Sequence, residues 1–187
     1  MTAVVVIFYS LDVWMARIFF SPESSGAYAI ASLLGKILFW GTIPISKAMM
    51  PLSSDSTNDK TGHVINNSIF LIATAIIITT ALFYLFPYDI IKIFTGRDVN
   101  VAGDILFYEG LSFGIIALAN LLLLYNLSVN RFKKYWIMLV PLLIEIIIMS
   151  LFADSVSQFA IAFLVSSVIF FAFSIVFAYI NRGRKIA

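Results

Sequence analysis

Cysteine is absent from the 187 residues, so neither a disulfide framework nor a thiolate metal site can form. Histidine occurs once, as His63, which excludes histidine-cluster metal sites. Charge is scarce: Lys, Arg, Asp and Glu make up 12% of the chain against 61% hydrophobic residues, and the mean hydropathy is +1.02. A soluble domain is nearer about 45–50% apolar and about 25% charged. Alternating strand patterns are lacking, which argues against a transmembrane barrel. The first apolar stretch has no basic flank and no small-residue cleavage site, so no cleavable signal is expected. The composition implies an integral membrane protein. The net charge of +2 adds little, because the location of the charges matters more than their sum.

What is present is a series of long apolar runs. A helix needs about 20 apolar residues to cross the ~30 Å hydrocarbon core. Six stretches qualify, at about 2–20, 27–50, 66–87, 104–126, 134–153 and 157–180. Backbone groups in lipid must bond internally, so these predict an all-α, polytopic transmembrane bundle of six helices in one domain. The connections alternate in charge. One side holds Lys47, Lys60, Arg131, Lys133, Lys134, Arg182, Arg184 and Lys185; the other holds fewer basic residues, Lys92, Arg97 and Arg17 near a helix end. The positive-inside rule then places both termini in the cytoplasm, as an even number of crossings requires.

Several boundaries have local causes. Ser21-Pro22-Glu23 reads as an N-cap, a proline at the first helical position and an acid matched to the helix dipole. Gly26 is expected to break the connection before the second span and Pro51 to end it. Pro44 and Pro141 should kink the second and fifth spans. Residues 88–97, YDIIKIFTGR, look like a short amphipathic helix at the outer interface.

Charges inside hydrocarbon cost about 2.5–3.5 kcal/mol each on insertion scales, so those the spans keep are candidates for a function. Asp12 lies mid-span: a proton or cation site, or a structural partner for a cationic helix. Arg17 is about 140° round the same helix, poorly placed to pair with Asp12, and near enough the outer end to snorkel. Lys36 is too deep to snorkel easily and sits among Tyr28, Ser32, Gly35, Thr42 and Ser46, a small or polar stripe that packs on another helix or lines a cavity. In a wet cavity Lys36 would attract phosphate or carboxylate; otherwise it would pair with Asp12 or Glu145. Glu109 and Asn120 share a helical stripe with Ser112 nearby; Glu109 is expected to be solvated at the outer end, and Asn120 is deep enough to bond across helices. Glu145 lies one turn beyond Pro141 and reads either as a proton-titrating carboxylate or as a hydrogen-bond partner of Asn120 or Ser150.

Two patterns carry no weight. Asn66-Asn67-Ser68 and Asn126-Leu127-Ser128 match the glycosylation rule but fall on the expected cytoplasmic side, and the two acids of DSTND lack further ligands for a metal or nucleotide. No nucleophile–base arrangement, metalloprotease motif or phosphate loop is present, so no enzyme activity and no cofactor are expected.

The pattern over residues 12–52 resembles the polysaccharide exporter branch of the multidrug/oligosaccharidyl-lipid/polysaccharide flippase superfamily, the Wzx-like lipid-linked oligosaccharide flippases. The matching residues are Asp12, Ser21-Pro22-Glu23, Gly26, Tyr28, Leu34-Gly35-Lys36, Pro44-Ile45-Ser46 and Pro51-Leu52-Ser53. FPYDIIKIFTGRDV resembles the family's outer hairpin, and LLLLYNLSVNRFKKYW its fourth-helix end and basic cytoplasmic loop. Family members have two pseudosymmetric six-helix lobes around a central cavity. The chain is similar to the C-terminal lobe of this MATE-like fold, with the N-terminal lobe absent; the resemblance implies a second six-helix lobe as partner, supplied by the missing half or by a homodimer.

The resemblance also implies a function: a transporter in the cell membrane carrying a polyprenyl-pyrophosphate-linked glycan between leaflets by alternating access. Lys36 would contact the anionic pyrophosphate or glycan, Asp12 would tune it or couple an ion, Arg17 would be secondary, and Asn120 and Glu145 would complete the cavity. A cation-coupled multidrug exporter lobe and a non-transporting membrane subunit are the alternatives. Nucleic acid is not an expected partner.

Overall fold

The computed structural model describes residues 2–54, 58–128 and 135–182. Seven α-helices are found there, α1 (Thr2–Phe19), α2 (Pro22–Ser54), α3 (Asn58–Leu85), α4 (Pro87–Thr95), α5 (Asn100–Ser128), α6 (Val140–Leu151) and α7 (Val156–Arg182), with a 3-10 turn, Tyr135–Leu139, leading into α6. No strand occurs among the described residues. Four segments are long and apolar enough to cross a membrane: Pro22–Met49, His63–Leu85, Asn100–Ser128 and Val156–Ile180. The other two expected spans are shorter: α1 has 18 residues, and the apolar run Trp136–Leu151 is divided between the 3-10 turn and α6. Arg131, Lys133, Lys134, Arg184 and Lys185, on which the orientation leans, lie outside the described residues.

The helix ends show which local signals prevailed. Ser21 caps α2, its Oγ accepting from the Ser24 amide at 3.3 Å, with Pro22 and Glu23 in the first turn. Gly26 does not break the connection, since α2 already includes it; a glycine inside a helix costs only about 1 kcal/mol relative to alanine. Pro51 does not end α2 either, which runs on to Ser54. The polar stretch beyond the second span is mostly helical, α3 starting at Asn58. The segment expected at the interface is helical, as α4, ended by Gly96 in the left-handed region (φ 71°). Pro141 kinks no continuous helix: it stands in the first turn of α6, where its missing N–H is not needed, and marks the change from 3-10 to α geometry.

Helix α5 is the axis of the bundle, packed most closely on α2 and α7 and also on α3. Small residues set these distances. A Cβ on Gly35 of α2 would overlap the Phe113 ring and lie 3.1 Å from the Glu109 carbonyl, so α2 and α5 touch almost backbone to backbone. Gly110 and Gly114 of α5 do the same for Phe83 and Ile76 of α3. Helix α1 is held more sparsely, against α2 and α6 and the edges of α5 and α7. Phe8 anchors it, its ring 4.3 Å from that of Phe170. Large apolar side chains such as Trp14, Ile18, Phe70, Ile77, Leu143 and Tyr179 cover the outside. In water such a surface would aggregate; facing acyl chains it is the expected solution.

Candidate functional site: a buried charge cluster between four helices

Asp12 of α1 is fully buried. Its Oδ2 accepts a hydrogen bond from Ser32 Oγ at 2.5 Å, and Lys36 Nζ lies 3.2 Å from Oδ1 and 3.5 Å from Oδ2. Ser32 and Lys36 are one turn apart on α2 and so meet the same carboxylate. Lys36 Nζ also stands 5.6 Å from the centre of the Phe113 ring of α5, within cation–π range. Taking both charges out of water is costly, so this geometry holds only because each oxygen of Asp12 has a partner.

Two further acids enter the cluster. Glu109 of α5 and Glu145 of α6 are both fully buried, and none of their four carboxyl oxygens has a hydrogen-bond partner. The buried Tyr28 hydroxyl of α2 lies close to Glu109. Asp12 is within electrostatic range of both glutamates, and Lys36 of Glu109. Three acids and one lysine thus converge from α1, α2, α5 and α6.

Glu109 is therefore not the solvated end-of-helix residue expected. The N-terminal half of α5 is enclosed by α2, brought close by Gly35, and by α3 over Gly110. The Gly110–Gly114 pair directly after Glu109 was the sequence signal for this, since small residues four apart mark a closely packed helix face. Glu145 bonds neither Asn120 nor Ser150; Ser150 Oγ donates to its own helix at the Ile146 carbonyl.

The stripe on α2 divides by level. Tyr28, Ser32 and Gly35 belong to the cluster. Thr42 and Ser46 are buried and donate to the Phe39 and Thr42 carbonyls, so the C-terminal half of the stripe is a packing face. Arg17 is remote from Asp12, as its rotation on the helix requires. It lines a hollow of about 270 Å³ at one end of the α1–α2 seam with Val13, Phe20, Ser25 and Ala29. Asn120, 5% exposed, lines a hollow of about 100 Å³ near the other end, with Tyr9, Phe39 and Lys47. The seam thus carries a cation near each end and the Lys36–Asp12 pair between.

Among the described residues no three metal-ligating side chains group tightly enough to hold an ion. Compared with known proteins, the chain matches no family model, no curated protein and no solved structure.

Proposed function

We propose that this chain is one six-helix lobe of a Wzx-like flippase, moving a polyprenyl-pyrophosphate-linked oligosaccharide across the cell membrane by alternating access for polysaccharide export. In this reading α1 and the 3-10–α6 unit cross with the four longer helices, and both termini are cytoplasmic. A second six-helix lobe, from another chain or a second copy, closes the central cavity. The lobe does no covalent chemistry and needs no cofactor.

The observation that carries the reading is the Lys36–Asp12 ion pair inside an apolar bundle, the lysine 13% exposed and the aspartate fully enclosed. Intramembrane ion pairs are expensive and mark substrate or ion pathways. Arg17 and Lys47 extend the positive line along the seam, which suits a pyrophosphate travelling from end to end. Asp12, Glu145 and Asn120 complete the polar lining. The test is movement of a fluorescent polyprenyl-pyrophosphate oligosaccharide in proteoliposomes, with the chain alone and with any six-helix partner that co-purifies. Transport that falls about tenfold or more in Lys36→Ala, a loss of at least ~1.4 kcal/mol, is expected. A variant with unchanged transport and stability would remove Lys36 from the site, and no movement in any combination would remove the flippase reading.

One observation favours a second reading. Three acids face one lysine in the cluster, a balance that suits a cation-coupled exporter of small cationic amphiphiles. Movement of a lipophilic cation dye, lost in Asp12→Asn and insensitive to the lipid-linked glycan, would decide for it.

A further inference from the structure

We propose that Lys36 is a two-position latch: it pins α1 to the bundle through Asp12, and moves to Glu109 when α1 swings away. The proposal rests on the packing and charges around Lys36 and holds whatever the protein carries.

The two acids belong to bodies of different rigidity. Glu109 is on α5, and Lys36 on α2, the two helices joined by the close Gly35–Phe113 contact. Their separation cannot change without repacking the core. Asp12 is on α1, the sparsely packed helix. Among the described residues its contact with Lys36 is the single ion pair joining α1 to the rest. If α1 left, a lysine with one partner would be stranded in hydrocarbon, at a cost that would hold the helix shut. A second acid on the rigid side removes that barrier.

Glu109 has the features of such an acid. Both its oxygens are buried and unpartnered, so it has room for a donor, and Lys36 already lies within its electrostatic range. The route is also built. Phe113 is one turn beyond Glu109 on α5, and its ring stands 5.6 Å from the ammonium, so the charge passes along an aromatic face rather than through bare hydrocarbon. The flexible four-carbon stem of lysine permits the swing. Tyr28, close to Glu109, offers a hydroxyl to the arriving pair. Glu145, on α6, is in range of Asp12 and lies apart from the α2–α5 contact across which the lysine would move.

The absence of cysteine makes the chain a clean background for spin labels. Labels at Ile18→Cys and Val101→Cys, both exposed, report α1 against α5; labels at Leu33→Cys and Val101→Cys report α2 against α5 as control. In nanodiscs, Asp12→Asn is expected to broaden and shift the first distance distribution and leave the second unchanged. The thermal midpoint of Asp12→Asn/Glu109→Gln is expected to fall by more than the two single shifts combined, because Lys36 then has neither acid. An unmoved α1 in Asp12→Asn overturns the latch, and additive midpoints overturn Glu109 as the second position. Failure of Asp12→Asn to fold, where Ser32→Ala folds, overturns it too, since the parked lysine is what should keep that variant folded.

Discussion

Lys36 Nζ stands 3.2 Å from Asp12 Oδ1 across the α1–α2 seam, and the two ends differ in enclosure: the aspartate is wholly buried, the lysine 13% exposed. Removing the lysine leaves a carboxylate with no access to water and no opposite charge beside it, held by Ser32 and the Val13 backbone. Deleting one member of a buried pair typically costs about 3–5 kcal/mol. Lys36→Ala is therefore expected to lose stability in that range, measured by thermal or denaturant unfolding in nanodiscs. Lys36→Ala/Asp12→Asn should recover part of it, because no bare charge remains. A single variant as stable as the parent would show that the pair does not hold α1.

Glu145 makes the opposite prediction. Its two oxygens are buried without partners, a condition that costs about 1–3 kcal/mol for a polar group. Glu145→Met keeps the volume and removes the polar atoms. It is expected to raise stability by about that amount while impairing transport, the usual mark of a site retained for function. A loss of stability would mean that Glu145 has a partner in the folded membrane state, such as a bound ion or water.

Four of the helices were legible in the sequence because each holds a long apolar run, and the start of α2 because Ser21-Pro22-Glu23 is a local signal read by local rules. Gly26 and Pro51 misled because a helix end depends on the packing of the residues around it as much as on a breaker. The Asp12–Lys36 pair was visible as one of Lys36's possible partnerships. Glu109 was not, because its depth was counted from the end of its own helix, whereas burial is set by neighbours. The convergence of Asp12, Tyr28, Lys36, Glu109 and Glu145 depends on the rotation of four helices, and that rotation is fixed by contacts such as Gly35 on Phe113, which no single helix records.

That contact gives a packing test. A Cβ at Gly35 would overlap the Phe113 ring. Gly35→Ala is expected to destabilise by about 1–3 kcal/mol, the cost of overpacking, by forcing α2 off α5. Phe113→Leu in the same chain should restore part of the loss. A Gly35→Ala protein with parental stability would place the helices further apart than the structure has them.

Near the start of α5, Tyr88 of α4 donates a hydrogen bond to Asp104 at 2.7 Å. That bond, and next the negative charge of Asp104, raise the phenol above its ordinary value of 10. The neutral phenol is the bonding form, so the contact is complete below about pH 10 and fades as pH rises through the higher folded-state value. The tyrosinate absorbance lost in Tyr88→Phe should therefore develop at higher pH than that of a free tyrosine. In Asp104→Asn it should return towards pH 10. A Tyr88 titration indifferent to Asp104 would mean that α4 is not docked on α5 as described.

The orientation of the bundle can be read from the two cations that flank the central pair. Arg17 and Lys47 are both exposed, near opposite ends of the α1–α2 seam. With both termini cytoplasmic, Arg17→Cys should react with a membrane-impermeant maleimide from outside intact cells, and Lys47→Cys only after the cytoplasmic face is opened. The otherwise cysteine-free chain leaves no background. Reversed labelling would invert the topology and the direction of transport drawn from it. Labelling of both from one side would show that α1 and α2 do not cross as an antiparallel pair, and the seam could not then serve as a path between leaflets.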